Sequence, residues 1–90
     1  RRITLVPARI LEPSVPQMAR KGRIRPGADA DVIVFDPNVI SDRATFAAPA
    51  QPSIGMRWVI VAGTPVIIDG QLDRSAMPGR PVRRPVEIRP

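Results

Sequence analysis

Proline occupies twelve of the ninety positions and glycine six, and no helical bundle tolerates that much punctuation, because each proline removes a backbone donor and each glycine weakens a helix interior. What remains between the breaks suits short strands, tight turns and one short helix. The clearest strand is Val32-Ile33-Val34-Phe35, an unbroken β-branched and aromatic run closed by Asp36-Pro37. A run with no polar alternation is expected to be buried on both faces. Pro26-Gly27, just upstream, fits the two central positions of a type II turn, with proline presetting φ and glycine taking the φ > 0 site. Asp29 and Asp31 flank Ala30 at the strand entrance and read as short carboxylates that accept turn amides.

Upstream, Ile3, Val6 and Ile10 fall at helical spacing and the chain opens on Arg1 with no methionine, which reads as a pattern cut at its start. Pro7 suits the first position of a short helix over 7–11, with residues 1–5 finishing an earlier one. Residues 12–20 contain Pro13 and Pro16 without periodicity and read as a surface connection. Past Pro37, residues 38–54 are polar and alanine-rich, a loop longer than the roughly 12–15 residues a compact domain usually allows. Phe46 lies within it and is too large an apolar group to be left in water. A second strand centres on 58–62, with Arg57 on its wet side, and a third on 65–68. A loop at Gly63-Thr64 joins them into a hairpin, with Pro65 at a strand start and Asp69-Gly70 as the closing turn. Pro78-Gly79 marks a further turn, 80–84 a last edge strand, and 85–90 a frayed tail.

The chemistry available is narrow. Histidine and cysteine are both absent, which removes imidazole bases, His-ligated zinc, thiolate sites and disulfides from this chain. Thirteen arginines and the single Lys21 outweigh eight carboxylates, for a net charge of +6. The three aromatics, Phe35, Phe46 and Trp58, are assigned to a thin core otherwise built from Val, Ile, Leu and Ala. No apolar run reaches the roughly 18 residues of a membrane helix and no signal peptide is recognisable, so the expected location is the cytoplasm.

The stretch from Lys21 onward carries a resemblance. Lys21, Gly22, Ile24, Gly27, Ala30, Asp31, Val34 or its neighbours, and Asp36 stand in the order of a K-G-x-I-x-x-G-x-x-A-D-x-V-x-x-D pattern. It is similar to the strand-initiating signature that follows the catalytic barrel of the amidohydrolase superfamily. Thr4, Pro7 and Ala8 resemble the Thr-x-x-Pro-Ala step after the last barrel helix of that superfamily. Downstream, Thr45-Phe46, Pro49, Gly55, Val59-x-Val61-x-Gly63-x-x-Val66-x-x-Asp69-Gly70 and Pro78-Gly79-Arg80 resemble the end of its N-acyl-D-amino-acid deacylase branch, the D-aminoacylases. The chain departs from that branch at Ala62, where an asparagine is common, and at Val6, where a capping polar residue is usual.

The resemblance implies a mainly β, small sandwich- or barrel-like composite domain with a short N-terminal helix. Residues 1–20 would be the end of a barrel helix and a linker, 21–84 the C-terminal β domain and 85–90 a tail, with the catalytic barrel outside the chain. It implies a metal-dependent hydrolase of C–N amide bonds, of N-acyl-D-amino acids in this branch, whose zinc is held by barrel residues upstream of Arg1. No catalytic, cofactor-binding or metal residue is assigned among Glu12, Asp29, Asp31, Asp36, Asp42, Asp69, Asp73 and Glu87, nor to Lys21. The expected partners are the chain's own barrel and an N-terminal β segment that shares the small domain; alone, the chain is expected to self-associate. The rival reading is a small basic β-barrel that binds nucleic acid or another polyanion, supported by net charge and by Arg80, Arg83, Arg84 and Arg89. It lacks the exposed aromatic platforms that single-strand readers use.

Overall fold

The structure is a computed structural model and describes residues 1–86. It divides into two compact units, one formed by Arg1–Ala30 with the described residues from Gly79, the other by Asp31–Pro78.

In the first unit, α1 spans Leu5–Leu11. The helix begins two residues earlier than proline placement suggested, with Pro7 at its third position, because the first four helical amides have no intrahelical acceptor and proline costs nothing there. Thr4 is the N-cap residue without a side-chain cap bond. Residues 1–4 form a turn rather than the end of an earlier helix, with the Thr4 and Val6 amides both donating to the Arg1 carbonyl. A 3-10 helix over Pro16–Arg20 occupies part of what the sequence presents as an irregular connection; Pro16 at its start supplies the φ that such a turn needs.

Gly22 explains why this unit needs its glycine. Its φ is +70°, and a Cβ there would fall onto the Thr4 carbonyl and against the Ala8 methyl. Ala8 is 2% exposed and is the buried hydrophobic residue among those described. The Thr-x-x-Pro-Ala step and the Lys-Gly step are thus two halves of one contact. Further on, the Ala28 amide donates to the Arg25 carbonyl at 3.1 Å and Gly27 has φ +84°, the geometry of the type II turn expected at Pro26-Gly27.

The second unit is an antiparallel meander of β1 (Val32–Phe35), β2 (Met56–Val61), β3 (Thr64–Ile68) and β4 (Gln71–Leu72), in that spatial order. The expected mainly β architecture with a short N-terminal helix is therefore met, and β4 is an additional short strand. Residues 80–84 form no strand, since three prolines at 78, 81 and 85 deny a ladder its donors. Of the tail assigned to 85–90, residues 87–90 lie outside the described residues.

Val61 pairs with Thr64 and Ile68 with Gln71, so both hairpins close through two-residue loops, Ala62-Gly63 and Asp69-Gly70. All four loop residues have positive φ, the signature of type I′ turns, whose twist matches that of the strands they join. Ala62 therefore belongs to the turn and Thr64 to the strand, one residue away from the sequence-based placement. Register shifts leave Arg57 unpaired opposite Val34-Phe35 and Val66 unpaired opposite Val59-Ile60, the two-against-one arrangement of β-bulges.

Residues 36–55 connect β1 to β2 and are more ordered than their composition suggests. The Val39 and Ile40 amides donate to the Asp36 carbonyl, the Asp36 amide donates to the Gly55 carbonyl, and Ser41 and Ile54 exchange amide–carbonyl bonds of 3.1 and 3.0 Å. At Gly55, φ +91°, a Cβ would collide with the Ile40 backbone. Glycine is therefore what lets the two ends of the loop meet.

Candidate functional site

The carboxylates are the natural place to look for chemistry, and each described one has a structural partner. Asp29 faces the Lys21 ammonium at 3.0 Å and the Arg20 guanidinium at 3.8 Å. It thus takes cations where a turn amide was expected, because the 3-10 helix delivers both basic residues to it. Asp31 behaves as expected, accepting the Ala62 amide at 2.8 Å and so tying the start of β1 to the β2–β3 turn. Glu12 pairs with Arg23 at 3.4 Å. Asp36 and Asp42 accept the amides of Asn38 and Ala44, both at 2.9 Å. Asp69 holds Arg57 at 2.7 Å, with both side chains mostly in solvent.

Asp73 accepts the Ser75 hydroxyl at 2.6 Å and the Ser75 amide at 3.0 Å. These bonds favour the ionised form and hold its carboxyl below the usual carboxylate range. Among the described residues, no three metal-ligating side chains lie together. With no histidine or cysteine in the sequence and the carboxylates dispersed among turns, the residues present do not fit a catalytic metal centre.

The feature that does stand out is the sheet surface. Directly paired residues share a face, so Ile33, Val59, Ile67 and Leu72 form one apolar row across all four strands. Val32, Ile60 and Pro65, together with Val34 and Trp58, lie on the other face. A sheet apolar on both sides is built to be covered twice, yet no strand residue is buried. Ile33 is 47% exposed and Leu72 58%. The burial anticipated for β1 on both faces is not found among the described residues. An open groove on the sheet unit, lined by Val39, Ile54, Met56, Ile67 and Leu72 with Arg57 at its edge, is part of the same uncovered surface.

The aromatic assignments change accordingly. Phe35, Phe46 and Trp58 were expected in the core, and none is buried. Alternation along β1 puts Phe35 and the Val34–Trp58 pair on opposite faces, so the two do not make a stacking platform. Phe46 is fully exposed, at 110%, in the loop between β1 and β2. No helix among the described residues is long and apolar enough to cross a membrane.

No protein-family model matches the chain. It is 40% identical over 87 residues to the N-acyl-D-glutamate deacylase of Alcaligenes xylosoxydans xylosoxydans, an alignment covering 97% of this chain and 16% of that protein. To the N-acyl-D-aspartate deacylase of the same organism it is 40% identical over 63 residues, 70% of this chain and 12% of the relative. Among solved structures, that of a D-aminoacylase, described as defining a novel subset of amidohydrolases, superimposes with a TM-score of 0.62 at 36% identity. The match covers 73% of this chain and 14% of that one. Mainly antiparallel sheet with a short helix, and matched to that structure over 73% of its length, the chain is a segment of the amidohydrolase class. Within that class it is most like the D-aminoacylase branch, and the superfamily is typically metal-dependent. It spans about a sixth or less of the length of the relatives it matches.

Proposed function

We propose that these ninety residues are the C-terminal β segment of a metal-dependent amidohydrolase that hydrolyses the C–N amide bond of N-acyl-D-amino acids, and that the segment is structural. The observation that carries the reading is the sheet that is apolar on both faces and buries none of its strand residues. Such a sheet is one layer of a domain whose other layers lie elsewhere in the polypeptide. Burying each large aliphatic or aromatic side chain contributes about 1.5–3 kcal/mol, against a whole-domain stability of about 5–15 kcal/mol, so the missing cover decides whether the sheet is stable. The cover is assigned to the enzyme's own barrel and to an N-terminal β segment. Zinc, and the acid–base groups that work with it, belong to barrel residues. The residues of this chain orient and seal the small domain.

Taken alone, the chain satisfies its exposed faces and the free edge of β1 by self-association, since an unpaired strand edge is a template for further pairing.

The test compares the ninety-residue chain with the whole polypeptide that carries it. Turnover of N-acyl-D-amino acids and stoichiometric zinc are expected in the whole polypeptide, with neither in the chain alone; sedimentation equilibrium is expected to show the isolated chain as a dimer or larger. Turnover or micromolar zinc binding by the chain itself, or a well-folded monomer with sharp near-ultraviolet signals from Trp58, would refute the structural assignment.

A further inference from the structure

The loop between β1 and β2 combines features that ordinary solvent loops do not. Its base is clamped by the Ser41–Ile54 bridge and by the Gly55–Ile40 approach. Its tip is a small turn in which the Thr45 amide donates to the Ala48 carbonyl at 3.2 Å and the Ala48 amide donates to the Thr45 hydroxyl oxygen at 3.0 Å. Phe46 sits in that turn at 110% exposure. Residues 44–54 contain no charged side chain, although 24% of the chain is charged. The loop presents an aromatic ring on a hydrogen-bonded support with no charge beside it. An aromatic anchor and depletion of charge are two marks of an interface core.

We infer that Phe46 is an anchor that seats in an apolar pocket of the same polypeptide, outside these ninety residues. The inference rests on the reading that the segment works inside a longer hydrolase chain. The relatives supply the argument for the occupant: aligned residues make up 97% of this chain but 16% of the N-acyl-D-glutamate deacylase, so most of such a protein lies beyond this segment. A covalently linked surface is present at an effective concentration of about millimolar, ahead of any separate partner. The uncharged tip offers nothing to a polyanion.

Arg43, exposed and three residues before the ring, provides a site-specific reporter, because trypsin cleaves the Arg43–Ala44 bond only when the loop is free to enter its cleft. Cleavage of that bond is to be timed by mass spectrometry in the whole polypeptide and in a synthetic peptide of residues 38–56. The expected result is protection of about tenfold or more in the polypeptide, lost in Phe46→Ala and retained in Phe46→Leu. Replacing a ring that is fully exposed in this segment removes no buried surface from the segment itself, so the loss would report the external pocket. Equal cleavage in wild-type polypeptide and peptide overturns the anchor without reference to any variant. So does unchanged protection in Phe46→Ala, and so does protection that vanishes on dilution, which would place the pocket on a second copy.

Deacylase turnover measured on the same preparation separates the two readings. An active polypeptide with an unprotected loop refutes the anchor alone, and an inactive polypeptide with a protected, Phe46-dependent loop refutes the assigned activity alone.

Discussion

The two hairpin turns of the sheet have nearly the same backbone and different chemistry. Ala62-Gly63 has φ of +48° and +80°, Asp69-Gly70 of +47° and +83°. The second follows the known preference, since aspartate tolerates the left-handed region through local hydrogen bonding and glycine follows it freely. The first places an alanine where the left-handed conformation costs about 1–2 kcal/mol. The difference lies in what holds each turn. Asp69 pairs with Arg57 on the neighbouring strand, an exposed ion pair of small worth, and the Gly70 amide donates to the Arg57 carbonyl at 2.8 Å. The Ala62 turn is instead held by Asp31, which reaches from the entrance of β1 to the Ala62 amide. A turn residue that is poor in its own right is compensated by a carboxylate thirty-one positions away.

The largest break in this comparison is expected at the glycine of the weaker turn. In Gly63→Val the backbone stays at φ +80° with a β-branched side chain, and although a Cβ there meets nothing within 4 Å, the conformation alone should cost about 2 kcal/mol or more. Urea unfolding of the protein should show a lower midpoint with an unchanged slope.

A smaller effect sharpens the contrast. Asp31→Ala should lose about 1 kcal/mol through the Ala62 bond, whereas Ala62→Asn, which suits the type I′ turn, should gain about 0.5–1 kcal/mol. Because the two positions hold one turn, the pair should be non-additive in a double-mutant cycle, with Asp31→Ala costing less in the Ala62→Asn background than in the native one. Strict additivity would mean that the Asp31 bond does not compensate Ala62.

The smallest effect concerns Asp73, just past β4. Its carboxyl is lowered chiefly by the Ser75 hydroxyl and also by the Ser75 amide. A lowered folded-state value means that the associated stability is present above the unfolded carboxylate pKa and fades as pH falls through the folded one. Ser75→Ala should move the Asp73 titration, followed by NMR, upward toward the ordinary carboxylate range with the fold intact. A titration that does not move would assign the lowering to the backbone alone.

These turns also show how far the sequence could be read. Pro26-Gly27 and Asp69-Gly70 were recognisable because their requirement is local: a fixed φ followed by a free one. The β1 run and the paired runs around Trp58 and Ile67 were recognisable because unbroken β-branched and aromatic runs are written residue by residue. The exact placement of the Ala62-Gly63 turn was less legible, since alanine carries no turn signal and the compensating Asp31 acts across the sheet. The 3-10 helix at Pro16–Arg20 was missed because so short a segment gives no measurable period. The carboxylates could be read as turn residues, but the partners of Asp29 and Asp31 could not be told apart from spacing, as the two stand two residues apart and turn to different neighbours.

By itself, then, the sequence determined the three main strands, the short N-terminal helix, the turns that need glycine and the likeness to the family. All of these depend on properties of single residues or short patterns. Tertiary structure alone decided the register with its bulges at Arg57 and Val66, the approach of Gly22 to Thr4 and Ala8 and of Gly55 to Ile40, and the exposure of both sheet faces and of Phe46. The physical reason is that burial and close backbone contact are properties of pairs distant along the chain. A hydrophobic side chain states in sequence that it should be covered; only the fold shows whether the described residues do the covering.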